Sequence, residues 1–547
     1  MASNFRYVVA VMNEANRPTA NTMKQFLFIL VLSLIFSAHH LSAQTLRWFH
    51  VDEQAQQSIG FRYYHQVNLA DDKISYSYMT ESRYSTGFYG YGDVATKYYD
   101  TDENFLDETS CTGDSLYVRK ILQLSNGERL VLSTGFSHYA LYDLDTLVAL
   151  NEWGEPRSYI HHLDANNETI ALSTFDDVHD MVINDDETYL YFVNLYDFNE
   201  ADLMRMDLSS SNVTSISHMV GMRHFPVLLK TNNHIYVTGA TIMMEVEVDE
   251  EIIDVQFAYT NVLLQFNNNG ELNWVRQLED VTTSPVGMAE APMEGLYFSS
   301  DLYDGINVGN QSLMGPTWSG DFYVTRIDAT GNFLWATEAP NNTLCDFALS
   351  PGYHLASDDD YNVYLSGSSR KLLVWDDGTT VGRDLTTDTP TVLKYNSDGQ
   401  IIGSIVPEDG QSGHFSSMDV NQNGDILLSG WMTDTFTFQG VTKEVTDELV
   451  HPYVLYFTND EVIGVTNLIE STSGFSLYPS VVQIGQSVRL VRTENTRDLV
   501  RMYNSAGRLV LEQDITDKEC TMNLPQLAAG VYHVKVGTSV QRLLVVK

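Results

Sequence analysis

The chain has 547 residues and a formal net charge of -41, from 72 acidic and 31 basic side chains. That acidity excludes a nucleic-acid partner, because phosphates would be repelled. With 43% apolar and 11% aromatic residues the chain is not disordered, and its length exceeds what one ordinary core organises, so more than one domain is expected.

Residues 1–44 read as an address. Lys24 precedes the apolar run Phe26–Phe36, and Leu41, Ser42 and Ala43 supply the small-residue site before Gln44. A basic start, a short apolar stretch and a small residue before the cut make a secretory signal peptide, with cleavage expected between Ala43 and Gln44. The run is about half of the roughly 20 apolar residues that a membrane-spanning helix needs, so no transmembrane helix is expected in the mature chain. The first 22 residues lack this logic, and Met23 is the expected start. Cys111, Cys345 and Cys520 lie too far apart for a disulfide framework or a zinc site. Cys111 and Cys345 are left as either a bridge or two buried single thiols.

Residues 45–110 are rich in tyrosine. Glycines break the strand alternation from Tyr84 to Gly92, so Tyr84, Phe88, Tyr89 and Tyr91 are candidates to face a sugar or a peptide from a loop. The alternative is packing between neighbouring sheets, which aromatic strand residues do often. From Leu116 to Lys230 the strands and Asn-Gly-type turns continue without a clear motif.

A repeat becomes legible from residue 235. Strands holding Tyr236, Tyr297, Tyr364 and Leu427 recur at steps of 61, 67 and 63 residues. Each is followed by a hairpin, as in Val262–Trp274, Phe322–Trp335 and Val392–Ile402, and a worn copy runs from Tyr453 to Ile463. The hairpin glycines Gly270, Gly331 and Gly399 move with the tyrosines, which chance rarely arranges. Turns rich in Asn, Asp and Gly accept the positive φ of a tight hairpin. A unit this long, built of about four short strands, predicts propeller blades. Residues 45–470 at this period give about seven. The strand and hairpin motifs resemble the β-propeller repeats of secreted bacterial proteins, clearest over residues 235–465. That resemblance implies a fold and no ligand, because propellers host many functions.

Asp419, Asn421 and Asn423 match the first part of a calcium loop, but the position for its bidentate Glu is Gly430. The same slot holds Asn232-Asn233 and Asp358-Asp359-Asp360 in other repeats, so an ordinary polar turn is expected and no cofactor is assigned. His161, His162, His179 and Asp180 fit no standard metal spacing. The run Glu245–Glu251 alternates like a solvated hairpin. Gly-x-Ser-x-Gly, His-Glu-x-x-His and phosphate-loop motifs do not occur.

The character changes near Ser471. Residues 471–547 hold nine Lys or Arg against six Asp or Glu, so this segment is basic while the body is acidic. It has its own strand pattern and turns, predicting a small β-sandwich. The segment resembles the type A C-terminal sorting domain of the type IX secretion system of Bacteroidetes. The matching residues are Phe475–Pro479 including Tyr478, the turn with Gly507 after Tyr503, Gly530 with Tyr532, and the apolar end at Lys547. The chain departs from that family at Ser480-Val481, where Asn-Pro is usual, and at Arg542, where lysine is usual. The resemblance implies the secretion machinery as partner, a secreted or outer-surface location, removal of the tail and attachment of the body to surface lipopolysaccharide. For the body, the reading is a non-catalytic binding or surface module with a glycan or protein ligand. The alternatives are a glycan hydrolase with paired carboxylates in the propeller channel, and a structural surface-layer component.

Overall fold

The computed structural model describes residues 44–546 except 53–64, 71–72, 87–88, 136–138, 143–144, 150–156, 198, 223, 256–259, 279–285, 304, 317–320, 341–346, 376–378, 384–386, 411, 448, 460–474, 479–480, 484–486, 493–497, 505–508, 525–526, 528–529 and 537–538. All its regular elements are strands, and they fall into two compact units, residues 1–459 and 460–547.

The first unit is a seven-bladed β-propeller. Its inner strands are His65–Ala70, the second part of Phe105–Gln123, Asp177–Ile183, His224–Lys230, Val286–Ala291, Leu355–Ser357 and Gly413–Val420. Each opens an antiparallel sheet that meanders outward. The long strand Phe105–Gln123 serves two blades, pairing through Phe105–Cys111 with Tyr89–Asp100 and through Leu116–Gln123 with Arg129–Gly135. The ring is closed by its first strand. Thr45–Val51 pairs antiparallel with His451–Thr458 and becomes the outer strand of blade 7. Closure ties the last blade to the first strand of the chain, so only the outer edge of each blade is left unpaired.

The apolar cores lie between consecutive blades. Val94 of blade 1 meets Val118, Ile121 and Val131 of blade 2; Leu130 and Ile160 meet Val178 and Phe192 of blade 3; Tyr191 and Leu203 meet Val237 and Leu264 of blade 4. The series continues through Tyr236 with Phe298, Tyr297 with Leu365 and Tyr364 with Leu428. It closes with Trp48 and Trp431 of blade 7 against Val67, Tyr76 and Tyr99 of blade 1. Neither face of a blade is solvated, which is why the inner three strands read as apolar runs rather than clean alternation.

The repeat residues are the fasteners between blades. Tyr297 O–H donates to the Tyr361 carbonyl of the next blade at 2.8 Å, and Tyr236 O–H donates to the Glu294 carbonyl in the same way. The Trp274 indole N–H donates to Ala329 O at 3.0 Å and that of Trp335 to Ser397 O at 2.9 Å. These carbonyls sit in the hairpin turn of the following blade. The turn glycine there has two duties. Gly399 holds φ +79°, and a Cβ on it would lie 2.8 Å from the Trp335 ring; at Gly331, φ +82°, a Cβ would lie 2.6 Å from the Arg276 guanidinium. Only glycine offers both the left-handed backbone and the missing side chain. Tyrosine, tryptophan and glycine therefore keep step along the sequence.

One expectation changes in detail and another is met. The backbone places Tyr84, Tyr89 and Tyr91 in a long strand pair, Lys73–Thr86 with Tyr89–Asp100, where Tyr84 is opposite Tyr91; the expected loop is a continued hairpin, and Phe88 lies outside the described residues. The acidic run forms the hairpin Glu245–Val248 and Glu251–Asp254 on the edge of blade 3. Its turn residues Asp249 and Glu250 both have positive φ, the twist that a two-residue hairpin turn needs.

The second unit has a three-stranded sheet, Phe475–Tyr478, Ser487–Arg492 and Glu519–Asn523, and a five-stranded sheet ending in Ser539–Val546. Val488, Leu490 and Met522 of the first sheet share one core with Val500, Val534 and Leu543 of the second. Tyr532 is buried in that core.

Candidate functional site

The seven inner strands surround a central cavity of about 260 Å³. Its lining is set by local irregularities in those strands. The register shifts between Val178 and Met181, between His224 and Val227, and between Phe415 and Ser417. Such bulges re-aim side chains, and Pro226 is tolerated inside a strand because it sits in one.

The first bulge contains Asp180, which is 2% exposed. Its carboxylate accepts four hydrogen bonds, from Lys120 Nζ and the Tyr353 hydroxyl at 2.7 Å and from the Met181 and Leu228 backbone N–H at 2.8 Å. The Lys120 ammonium also lies 4.5 Å from the Tyr353 ring centroid, a cation–π contact. Burial raises the Tyr353 phenol well above its ordinary value, with Asp180 adding to the effect, so the hydroxyl remains a donor. Lys120 comes from blade 2, Asp180 from blade 3, Leu228 from blade 4 and Tyr353 from blade 6. The knot therefore crosses the channel.

Two further carboxylates line the cavity. Asp419 accepts from Leu69 N–H at 2.7 Å, Asn68 Nδ2 at 3.2 Å and its neighbour Val420 N–H at 3.0 Å. Burial pushes it up to about 6, opposed by those hydrogen bonds and by Lys120. Glu290 is different: among the described residues it makes no hydrogen bond. Burial raises it first, and repulsion from Asp185, Glu294 and Asp359 adds to this, with Lys230 acting the other way.

The sign of the Asp419 shift gives a test. Its folded value lies above the ~3.9 of an unfolded aspartate. Its contribution to stability is therefore complete below that unfolded value and is lost as the pH rises through about 6. Asp419→Asn removes the titration. Between roughly pH 5 and 7 the melting temperature of the variant should gain on that of the wild type; a flat difference would show that Asp419 is already ionised in the folded state below this range and that burial does not raise it.

A serine–histidine pair lies beside the channel. Ser299 Oγ is 2.8 Å from His354 Nε2, and His354 Nδ1 is 3.3 Å from Gly352 O. His354 reaches Ser299 across blade 5 at Gly287, where a Cβ would meet its Nε2 at 2.8 Å. Both side chains are fully buried and burial pushes the imidazole down to about 4. The arrangement ties blade 6 to blade 5 and presents no nucleophile to the cavity.

The residues singled out from sequence separate in space. Asn421 Oδ1 accepts from Asn423 N–H at 3.0 Å and Asp425 N–H at 2.9 Å. At the equivalent turns of blades 3 and 6, Asn184 Oδ1 accepts from Thr188 N–H and Asp358 Oδ1 from Asn362 N–H, and Asn267, Asp328 and Asn396 spend their side-chain oxygens in the same way in the outer hairpins. The calcium-like slot is thus a recurring Asx turn, and Asp419 points into the channel rather than into that turn. His162 pairs with Glu128 at 2.8 Å, whereas His179 pairs with Asp177 at 2.9 Å. No group of three or more His, Cys, Asp or Glu among the described residues is placed to hold a metal ion. Gln44 is buried and its Nε2 donates to the Tyr364 hydroxyl and to Gly424 O, at 3.2 and 3.1 Å, bridging blades 6 and 7; Ala43 lies outside the described residues. In the tail, Tyr478 ends a strand and Gly530 opens one, opposite Val545. Pro479, Gly507, Cys345 and Lys547 lie outside the described residues. Among those residues, no helix is long and apolar enough to cross a membrane.

Lys120, Tyr353 and Glu290 carried no local signal in the sequence. Asp180 was visible only beside His179, in a spacing that fits no standard metal set, and nothing nearby in the chain showed its partners.

Comparison with known proteins adds the following. No curated protein matches the chain. Among solved structures, a fungal alcohol oxidase of the AA5 family, in complex with copper, is 10% identical over 92% of this chain and 100% of that one, with TM-score 0.36. Puromycin hydrolase is 12% identical over 74% of this chain, which spans 56% of that one, with TM-score 0.39. The β-propeller domain of the Trilobed protease from Pyrococcus furiosus is 10% identical over 71% of this chain and 99% of that one, with TM-score 0.28. At such identities and scores no activity transfers. Residues 478–547 match the secretion system C-terminal sorting domain family, and a sorting domain at this position marks the chain as secreted or held at the outer cell surface.

Proposed function

We propose that this is a secreted or surface β-propeller protein of a Bacteroidetes bacterium. Residues 471–547 are read by the type IX secretion machinery, and the propeller is a non-catalytic binding module. The observation that carries the export reading is the sorting-domain match over 478–547, supported by the tail's own two-sheet core. The binding reading is favoured over hydrolysis by the state of the channel carboxylates. Glycoside chemistry needs two carboxyl groups free to act on a substrate. Here Asp180 is spent on four hydrogen bonds and Asp419 on three, leaving Glu290 uncommitted.

The export reading is tested by transfer. Residues 460–547 placed behind a signal-peptide-bearing fluorescent protein should carry it to the surface or medium of a host with type IX machinery. They should not do so in a host lacking that machinery. Retention of the fusion inside both hosts would refute the reading.

A further inference from the structure

The geometry points to the central cavity as a binding site for a small primary amine with an apolar body, taken up as its ammonium ion. The inference rests on the binding-module reading and names the ligand class for that site.

Three observations carry it. First, the cavity wall holds acceptors without a protein donor among the described residues. Glu290 makes no protein hydrogen bond among the described residues, and Asn68 Oδ1 is buried without a partner. Asn68 spends its Nδ2 on Asp419, so its oxygen is the atom left over. A buried acceptor without a donor costs free energy that a ligand N–H would return. Second, the cations nearby are engaged. Lys120 is held by Asp180 at 2.7 Å, and Lys230 donates to the Thr231 and Asn232 carbonyls. Asp185, Glu294 and Asp359 add negative charge around Glu290, against Lys230 alone, and a cleft with an excess of one sign concentrates ions of the other. Third, the rest of the wall is aliphatic, with Leu122, Val182 and Leu229 contributed by three successive blades. A bare metal ion would leave that wall unused and would find too few ligands, since no cluster of three or more His, Cys, Asp or Glu is available among the described residues. A hydrophobic amine uses both parts of the cavity.

The test is calorimetric titration of the full-length protein with 3-methylbutylamine, beside its alcohol and carboxylate counterparts, 3-methylbutanol and 3-methylbutanoate. The amine should bind, and the other two should bind at least tenfold more weakly. Glu290→Gln should weaken the amine by about tenfold or more, the scale of a lost charge-assisted hydrogen bond. Among the described residues Glu290 makes no hydrogen bond, and burial and nearby acids disfavour its charge, so the variant should melt no lower than the wild type. Leu229→Phe, which fills the aliphatic wall, should also reduce amine binding and serves as a second variant. Equal binding of alcohol and amine, or undiminished amine binding in Glu290→Gln, would overturn the amine assignment while leaving a binding module. Absence of binding by all three compounds would overturn the site itself; binding of a macromolecular ligand to the same preparation would then show the broader reading to stand without it.

Discussion

Removal of residues 460–547 should leave a folded propeller stranded in the periplasm. All seven inter-blade cores lie within the first unit, and its ring is closed by residues 45–51 pairing with 451–458. The tail has a separate core of its own. Deletion therefore takes no buried side chain from any blade interface described above. The truncated protein should show the strand-rich circular dichroism and the cooperative melt of the full chain. Its amino terminus should be Gln44, as the small-residue site before that position predicts. Export should fall from nearly complete to background, the largest functional effect expected from any change to this chain. An unfolded body would mean that the tail supports the propeller. Undiminished export would make the tail an accessory domain and remove the sorting reading.

The second large effect is on stability. Asp180→Ala should cost ~3–5 kcal/mol, the usual penalty for breaking a buried ion pair from one side. The loss exceeds that of one contact because the substitution strands the Lys120 ammonium, whose side chain is 17% exposed. It also strands the Tyr353 hydroxyl and the Leu228 N–H. Lys120→Met alone should cost less, since the Asp180 carboxylate keeps its hydroxyl and backbone donors. The pair Asp180→Asn with Lys120→Met should recover much of the loss, as neutral replacement of a buried ion pair often does. Chemical denaturation of the three variants measures this directly. A cost below ~1 kcal/mol for Asp180→Ala would mean that water enters and satisfies the channel groups, and that the knot does not hold the blades.

The architecture was legible because it is written locally. A blade is about four strands joined by tight turns, and each turn needs residues that accept positive φ. Gly270, Gly331 and Gly399 therefore recur, with φ of +90°, +82° and +79°. Tyr236 and Tyr297 recur in step because each fastens a turn of the next blade. The sorting tail was legible for a related reason: its core, turns and charge are complete within one short segment. The stretch from Tyr84 to Tyr91 misled because glycine there interrupts alternation without ending the strands, and cross-strand pairing decided the outcome.

The sequence by itself determined the strand period, the turn chemistry, the repeat and the sorting tail, since these depend on residues a few positions apart. Only the tertiary structure decided how the ring closes and what its channel holds. Thr45 meets Thr458, and Tyr353 meets Asp180 across 173 residues of chain. Bulges in the inner strands set which side chains face the cavity, and a one-residue register shift leaves little trace in composition or alternation. Hydrogen bonding then divided the acids: among the described residues Asp180 and Asp419 are consumed and Glu290 makes no hydrogen bond. That division depends on donors delivered by other blades, so no single stretch of the chain could reveal it.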